Sequence, residues 1–183
     1  IAVPFYLVHP RLIALEEKWI GYAEGSNHPW LMKLLRHEAG HAFENAYGLR
    51  RNPLRIEFFG QTETPYPKSY LPQPFSRQYV THLSDQYAQS HPDEDFAETF
   101  AIWLTPGSRW QQRYRTGAAR RKLDAMETIL EEWSHRRPLL TNKYRVDPID
   151  KYRHTLGHYL LSKQRRLGLG PSAEMDANLR AVF

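Results

Sequence analysis

The chain contains no cysteine in its 183 residues. That single absence excludes a disulfide framework, a cysteine nucleophile, an iron–sulfur cluster and a thiolate zinc finger. Any metal held by the chain must be held by nitrogen and oxygen. Long hydrophobic runs are missing too: nothing approaches the roughly 18 consecutive apolar residues that a membrane-spanning helix requires. There is no internal repeat and no low-complexity tract. Ile1 to Leu15 lacks the basic segment and small-residue cleavage site of a secretory signal. That favours a cytoplasmic protein, although the chain opens on Ile1 in place of Met, as a trimmed product would.

What is present belongs to a globular domain. Hydrophobic residues make up 41% of the chain, aromatics 13% and charged residues 25%, so the chain carries apolar side chains in the proportion a core requires. The length suits a single domain spanning residues 1–183. Ile1 to Val8 is apolar and β-leaning, and Pro4 suggests an edge strand. Leu12 to Tyr22 reads as a short helix or as a strand plus a turn. A strong helix follows, capped by Asn27 or His28, with Pro29 in its first turn and Gly48 just past its end. Leu31, Leu34, Leu35 and His41 share one of its faces.

Arg51 to Pro74 is rich in proline and reads as loop, with Ile56 to Phe59 as a short strand or turn. Ser76 to Gln89 is expected to be helical. A further helix starts at Ser90-His91-Pro92-Asp93, with a serine cap and an acid three residues on, and ends at Thr105-Pro106-Gly107. Another covers Ala118 to His135, with Leu123, Met126, Leu130 and Trp133 on one side. The last runs from Asp147-Pro148 to Gly168. The expected fold is mainly α (α+β), with a small N-terminal sheet or single strand.

The chemistry is concentrated in His37-Glu38-Ala39-Gly40-His41, an HExxH sequence inside the strong helix. Side chains at i and i+4 lie one above the other, so both imidazoles can reach one metal ion. Glu38 is rotated about 100° from His37, which sets it beside a metal-bound water. A catalytic zinc needs a third protein ligand and one open position. One class of such enzymes takes a third histidine six residues after the second. Here that position is Tyr47, and Glu44 stands where that class has glycine. The third ligand must lie further on and be His, Asp or Glu.

The segment His91-Pro92-Asp93-Glu94-Asp95-Phe96-Ala97-Glu98 offers candidates. Glu94 and Glu98 share a helical face, where two bare carboxylates repel each other and a nearby cation reverses the sign. One acid can bind the ion while the other accepts the free ring N–H of a ligand histidine. Asp93 falls away from that face. Asp95 and His91 are not excluded by helical spacing.

HEAGH at 37–41 together with YAQSHPDEDFAETF at 87–100 resembles zinc metallopeptidases of the glutamate-ligand, or gluzincin, type. Bacterial zinc-binding metallopeptidases and the catalytic domain of anthrax lethal factor share this pattern of a tyrosine, a ligand glutamate and a second glutamate four residues later. The resemblance spans about residues 30–105 and implies a zincin-like domain with one Zn2+ ion held by His37, His41 and Glu94. It further implies Glu38 as general base, Tyr87 stabilising the oxyanion and Glu98 orienting a histidine. The substrate would be a peptide or protein. Tyr79 is the alternative phenol.

Other readings have their own signatures. A zinc-binding regulatory or interaction protein would bind metal without turnover, for instance if the Pro65 to Pro74 loop plugs the site. His82, His135, His154 and His158 read as surface or packing residues; His154 and His158 are spaced i and i+4 but lack an accompanying acid. The net charge of +5 resides mostly in the second half, in residues such as Arg113, Arg115, Arg120, Arg121 and Lys122. No nucleic-acid motif accompanies them, and acids such as Glu127, Glu131 and Glu132 dilute them, so they read as a solvated face.

Overall fold

The structure, a computed structural model, describes residues 3–141 and 148–169. Among these the chain is helical and contains no strand. Seven α-helices follow in order: α1 (Pro10–Ile20), α2 (His28–Tyr47), α3 (Pro53–Phe59), α4 (Pro92–Leu104), α5 (Trp110–Arg113), α6 (Ala118–Trp133) and α7 (Leu156–Arg166). None of them is long and apolar enough to cross a membrane. The described residues fall into two compact units, which lie within Pro29–Tyr144 and within Ala2–His28 with Arg145–Phe183.

The first unit carries the HExxH sequence and is built round α4. Every residue of α4 from Asp93 through Ile102 is buried. Its apolar members, Phe96 and Phe100, join Leu49, Phe59, Met126, Ile129 and Leu130 in one core between α3, α4 and α6. A second cluster of Val80, Ile102, Trp110, Ala119 and Leu123 closes the far end. On α6, Leu123, Met126 and Leu130 face inward and Trp133 packs at the core's margin. In the second unit α1 lies against α7. The buried carboxylate of Glu16 accepts hydrogen bonds from Tyr159 Oη (3.2 Å) and Lys163 Nζ, and Gln164 Nε2 donates to the Trp19 carbonyl at 2.8 Å.

Several expected elements take another form. Phe5–Val8 is a turn of 3-10 helix, with Leu7 N–H bonded to the Pro4 carbonyl. Among the described residues no other strand is available to pair with it, and an isolated strand leaves its backbone groups unsatisfied. Leu12 to Tyr22 lies in α1 and its flank, where Gly21 stops the helix in the left-handed conformation at φ +91°. Pro53–Phe59 is helical because Asn52 caps it, its side chain accepting from Arg55 N–H at 3.0 Å, with Pro53 in the first turn.

Ser76 to Gln89 is not a helix; only Tyr87–Gln89 makes a short 3-10 turn. Its amides are taken by side chains: Thr81 N–H bonds Tyr114 Oη, and His82 and Leu83 N–H bond Glu98. The cap of α4 is His91, whose Nδ1 accepts from Asp93 N–H at 3.1 Å, and not Ser90. The last helix begins at Leu156, capped by Thr155. Asp147, its expected start, lies outside the described residues.

Candidate metal centre

Helix α2 presents His37 and His41 on one face, as the i, i+4 spacing requires. Across from them stands Glu94, in the first turn of α4. His37 Nε2 and His41 Nε2 are 3.1 Å apart, and they lie 3.0 and 3.2 Å from Glu94 Oε2. The two helices can approach this closely because Gly40, between the histidines, has no Cβ: one placed there would sit 2.9 Å from Ala97 Cα. Ligands of a tetrahedral zinc, each about 2.0–2.2 Å from the ion, stand about 3.3–3.6 Å from one another. The three donor atoms here are within a few tenths of an ångström of that triangle, so the residues present fit a zinc ion.

The electrostatics favour a cation at this spot. Burial alone would lower the pKa of His37, but its hydrogen bonds to Glu94 and Glu98 outweigh burial and raise it to about 9. Burial alone would raise Glu94, yet hydrogen bonds to His37 and His41 hold its carboxyl well below the usual carboxylate range. Two acids thus draw positive charge to the triangle, and a metal ion would take the proton's place.

Glu98 is fully buried and lies beneath this triangle. Its Oε1 is 2.9 Å from His37 Nδ1, and its Oε2 accepts the backbone N–H groups of His82 (3.1 Å) and Leu83 (2.9 Å). A carboxylate only accepts, so in the metal-free centre His37 donates from Nδ1 to Glu98 and from Nε2 to Glu94; with an ion bound, the Nδ1–H bond to Glu98 would remain and Nε2 would offer its lone pair instead of its proton. The His82 ring is buried, which lowers its pKa, and its Nε2–H donates to the Lys33 carbonyl at 2.9 Å. Glu38 is exposed on the next face of α2. The ring of Tyr87 lies 5.7 Å from that of His37, and burial, then Glu94, pushes its pKa up to about 12.

The rival acids are engaged elsewhere. Asp93 accepts from Arg55 Nη2 at 2.6 Å and from Arg50 Nη2 at 3.3 Å. Asp95 pairs with Lys122 Nζ, which also lies 4.1 Å from the centre of the Tyr79 ring. His91 is spent on its capping bond and on the Thr64 carbonyl. Lys122 is therefore no part of a solvated basic face, whereas Arg113, Arg115 and Arg121 are exposed. His135, His154 and His158 are exposed, the last two stacked on each other at 4.3 Å.

Three contributors gave no sequence signal. Glu44 and Arg55 are both fully buried, and Arg55 Nε donates to Glu44 Oε1 at 2.6 Å, tying α2 to α3 and, through Asp93, to α4. Burial pushes the Glu44 carboxyl up, against the pull of Arg55. Tyr66 donates its hydroxyl to Glu94 Oε1 at 2.9 Å from a loop with no periodicity. A cavity of about 540 Å³, lined in part by Thr64, Pro65, Pro67, His91 and Lys122, borders that loop.

Residues 27–135 match the model of a family described as putative zinc-binding metallo-peptidase. The match covers more than half of the chain. The chain belongs to this family. The matched stretch contains the HExxH helix, Glu94 and Glu98, together with the helices that enclose them. Comparison with curated proteins and with solved structures gives no match.

Proposed function

We propose that this member of the family is a zinc-dependent peptidase of the glutamate-ligand type, with His37, His41 and Glu94 as the protein ligands. The observation that carries the reading is the meeting of three donor atoms, two imidazole nitrogens and a carboxylate oxygen, at 3.0–3.2 Å from one another. Two histidines and one glutamate make a catalytic rather than a structural set, because a fourth position stays open to solvent or substrate. Zinc bound there would supply an acidified water and a polarised peptide carbonyl.

The rest is done by the chain. Glu38, exposed beside the histidines, takes the proton of the attacking water and returns it to the leaving amine. Tyr87 donates its hydroxyl to the oxyanion that develops on the carbonyl oxygen, and its raised pKa keeps that proton in place at neutral pH. Glu98 holds His37 in one tautomer and one orientation. The i, i+4 acids of α4 and the preceding tyrosine support the likeness to the catalytic domain of anthrax lethal factor at the level of this motif.

Zinc content of the purified protein, measured beside hydrolysis of a mixed peptide library, tests the reading. Wild type is expected to carry zinc and cleave peptides, and Glu94→Ala to lose both. A wild-type protein that neither carries nor takes up zinc would overturn it. Zinc without turnover of any peptide would instead identify a metal-binding regulator.

A further inference from the structure

We propose that Tyr66 is a positioning residue of this centre: its hydroxyl occupies the outer oxygen of Glu94, so that the carboxylate offers one oxygen, Oε2, to an ion. The inference rests on the reading of Glu94 as a ligand and extends it to a residue outside the motif. A carboxylate has two oxygens and several lone pairs, and nothing in its own chemistry decides whether one or both meet a metal. Here the two oxygens have different partners. Oε2 faces the imidazoles of His37 and His41 at 3.0 and 3.2 Å, and Oε1 receives the Tyr66 hydroxyl at 2.9 Å.

The phenol is held in that position by its neighbours. Its ring lies flat on the ring of His91, with centroids 3.7 Å apart and planes 7° from parallel. His91 is itself fixed at both nitrogens, Nδ1 by Asp93 N–H at 3.1 Å and Nε2 by the Thr64 carbonyl at 2.6 Å. Because His91 caps α4, the surface that carries the phenol and the carboxylate it touches belong to one helix start. Pro67 narrows the backbone freedom of Tyr66, since a residue before proline is driven to extended conformations, and Pro65 fixes its own φ just ahead of it.

Tyr66 is 56% exposed, so packing alone would leave its hydroxyl in water. It is turned instead onto a buried carboxylate. Tyr87, whose hydroxyl has no hydrogen-bond partner among the described residues, stays available to substrate, and the two phenols divide the work.

Tyr66→Phe keeps the ring and its stack and removes only the hydroxyl. Zinc affinity, read by competition with a chromophoric chelator, is expected to weaken by about 10–100-fold, the usual range for losing a partner that orients a ligand. With cobalt in place of zinc, the visible absorption of the variant is expected to weaken and shift as Glu94 gains freedom to use both oxygens. The metal-free variant should fold and melt only slightly below the metal-free wild type, since a single hydrogen bond is lost. Wild-type affinity and an unchanged cobalt spectrum in Tyr66→Phe would overturn the proposal. So would higher turnover at unchanged affinity, which would make the tyrosine a plug, or weakened affinity with an unchanged cobalt spectrum, which would make it a general structural contact. Absence of zinc binding in the wild type would fall on the peptidase reading instead, so the two failures are distinguishable.

Discussion

At the scale of single residues, the two glutamates closest in role, Glu38 and Glu98, are separated by burial. Glu98 is fully enclosed and both its oxygens are engaged, one by an imidazole and the other by two backbone amides. It can orient but cannot exchange protons with a substrate. Glu38 is exposed, and none of the hydrogen bonds of the centre involves it, which leaves its carboxylate available for proton transfer. Glu38→Gln is therefore expected to keep zinc at the wild-type level and to lose about 10²–10⁴-fold in peptide hydrolysis, measured as kcat/KM on any library substrate that the wild type cleaves. Equal hydrolysis in that variant would remove Glu38 from the base role. His37, Glu38 and His41 could be singled out from the sequence because a candidate of this kind is written in a local spacing. Tyr66 and Arg55 were not, since each meets its partner, Glu94 or Asp93, across 28 and 38 residues of sequence respectively. No local pattern encodes such a meeting.

At the scale of elements, α4 departs from the usual amphipathic pattern, being buried on all sides while carrying four acids. Such a helix is tolerable only where every carboxylate has a partner. The sequence showed the helix and its acids but not the cations waiting for them, and Lys122 looked like one more surface charge for that reason. The missed segment Ser76 to Gln89 has the same cause in reverse. Its residues do not forbid a helix, but Glu98 and Tyr114 capture its amides, and tertiary hydrogen bonds override local preference.

The contact of α2 with α4 turns on Gly40, whose missing Cβ leaves room for Ala97 and Phe100. Gly40→Ala is expected to lower the stability of the metal-free protein by about 1–3 kcal/mol in urea titration, as added atoms do in a packed interior. By pushing Glu94 away from the histidines, it should also weaken zinc binding in the same preparation. A variant as stable as wild type, with unchanged zinc affinity, would show that the helices can part at no cost.

At the scale of the whole molecule, an ion at His37, His41 and Glu94 would join α2 to α4, elements far apart in sequence, and the unfolded chain lacks that donor geometry. A ligand that binds only the folded state raises stability with its free concentration. Removing zinc with a chelator should therefore lower the melting temperature, and adding zinc at rising concentrations should restore and then extend it. A melting temperature indifferent to chelator and zinc would argue against a site of this kind. The positive charge of the second half does not enter this balance, since none of its described arginines is at the centre, and some form surface pairs, such as half-buried Arg120 with Asp124 and exposed Arg136 with Glu132. Such surface pairs contribute little, at most about 1 kcal/mol each.

The three consecutive acids at the start of α4 also fix where this chain can change length. Asp93, Glu94 and Asp95 point to Arg55, to the histidines and to Lys122 in turn. A single residue inserted between His91 and Glu98 would rotate everything beyond it by about 100° and hand each carboxylate to the wrong neighbour. The eight positions from His91 to Glu98 behave as one indivisible word, whereas the uncharged turn after Leu104 can be lengthened without misassigning a single charge.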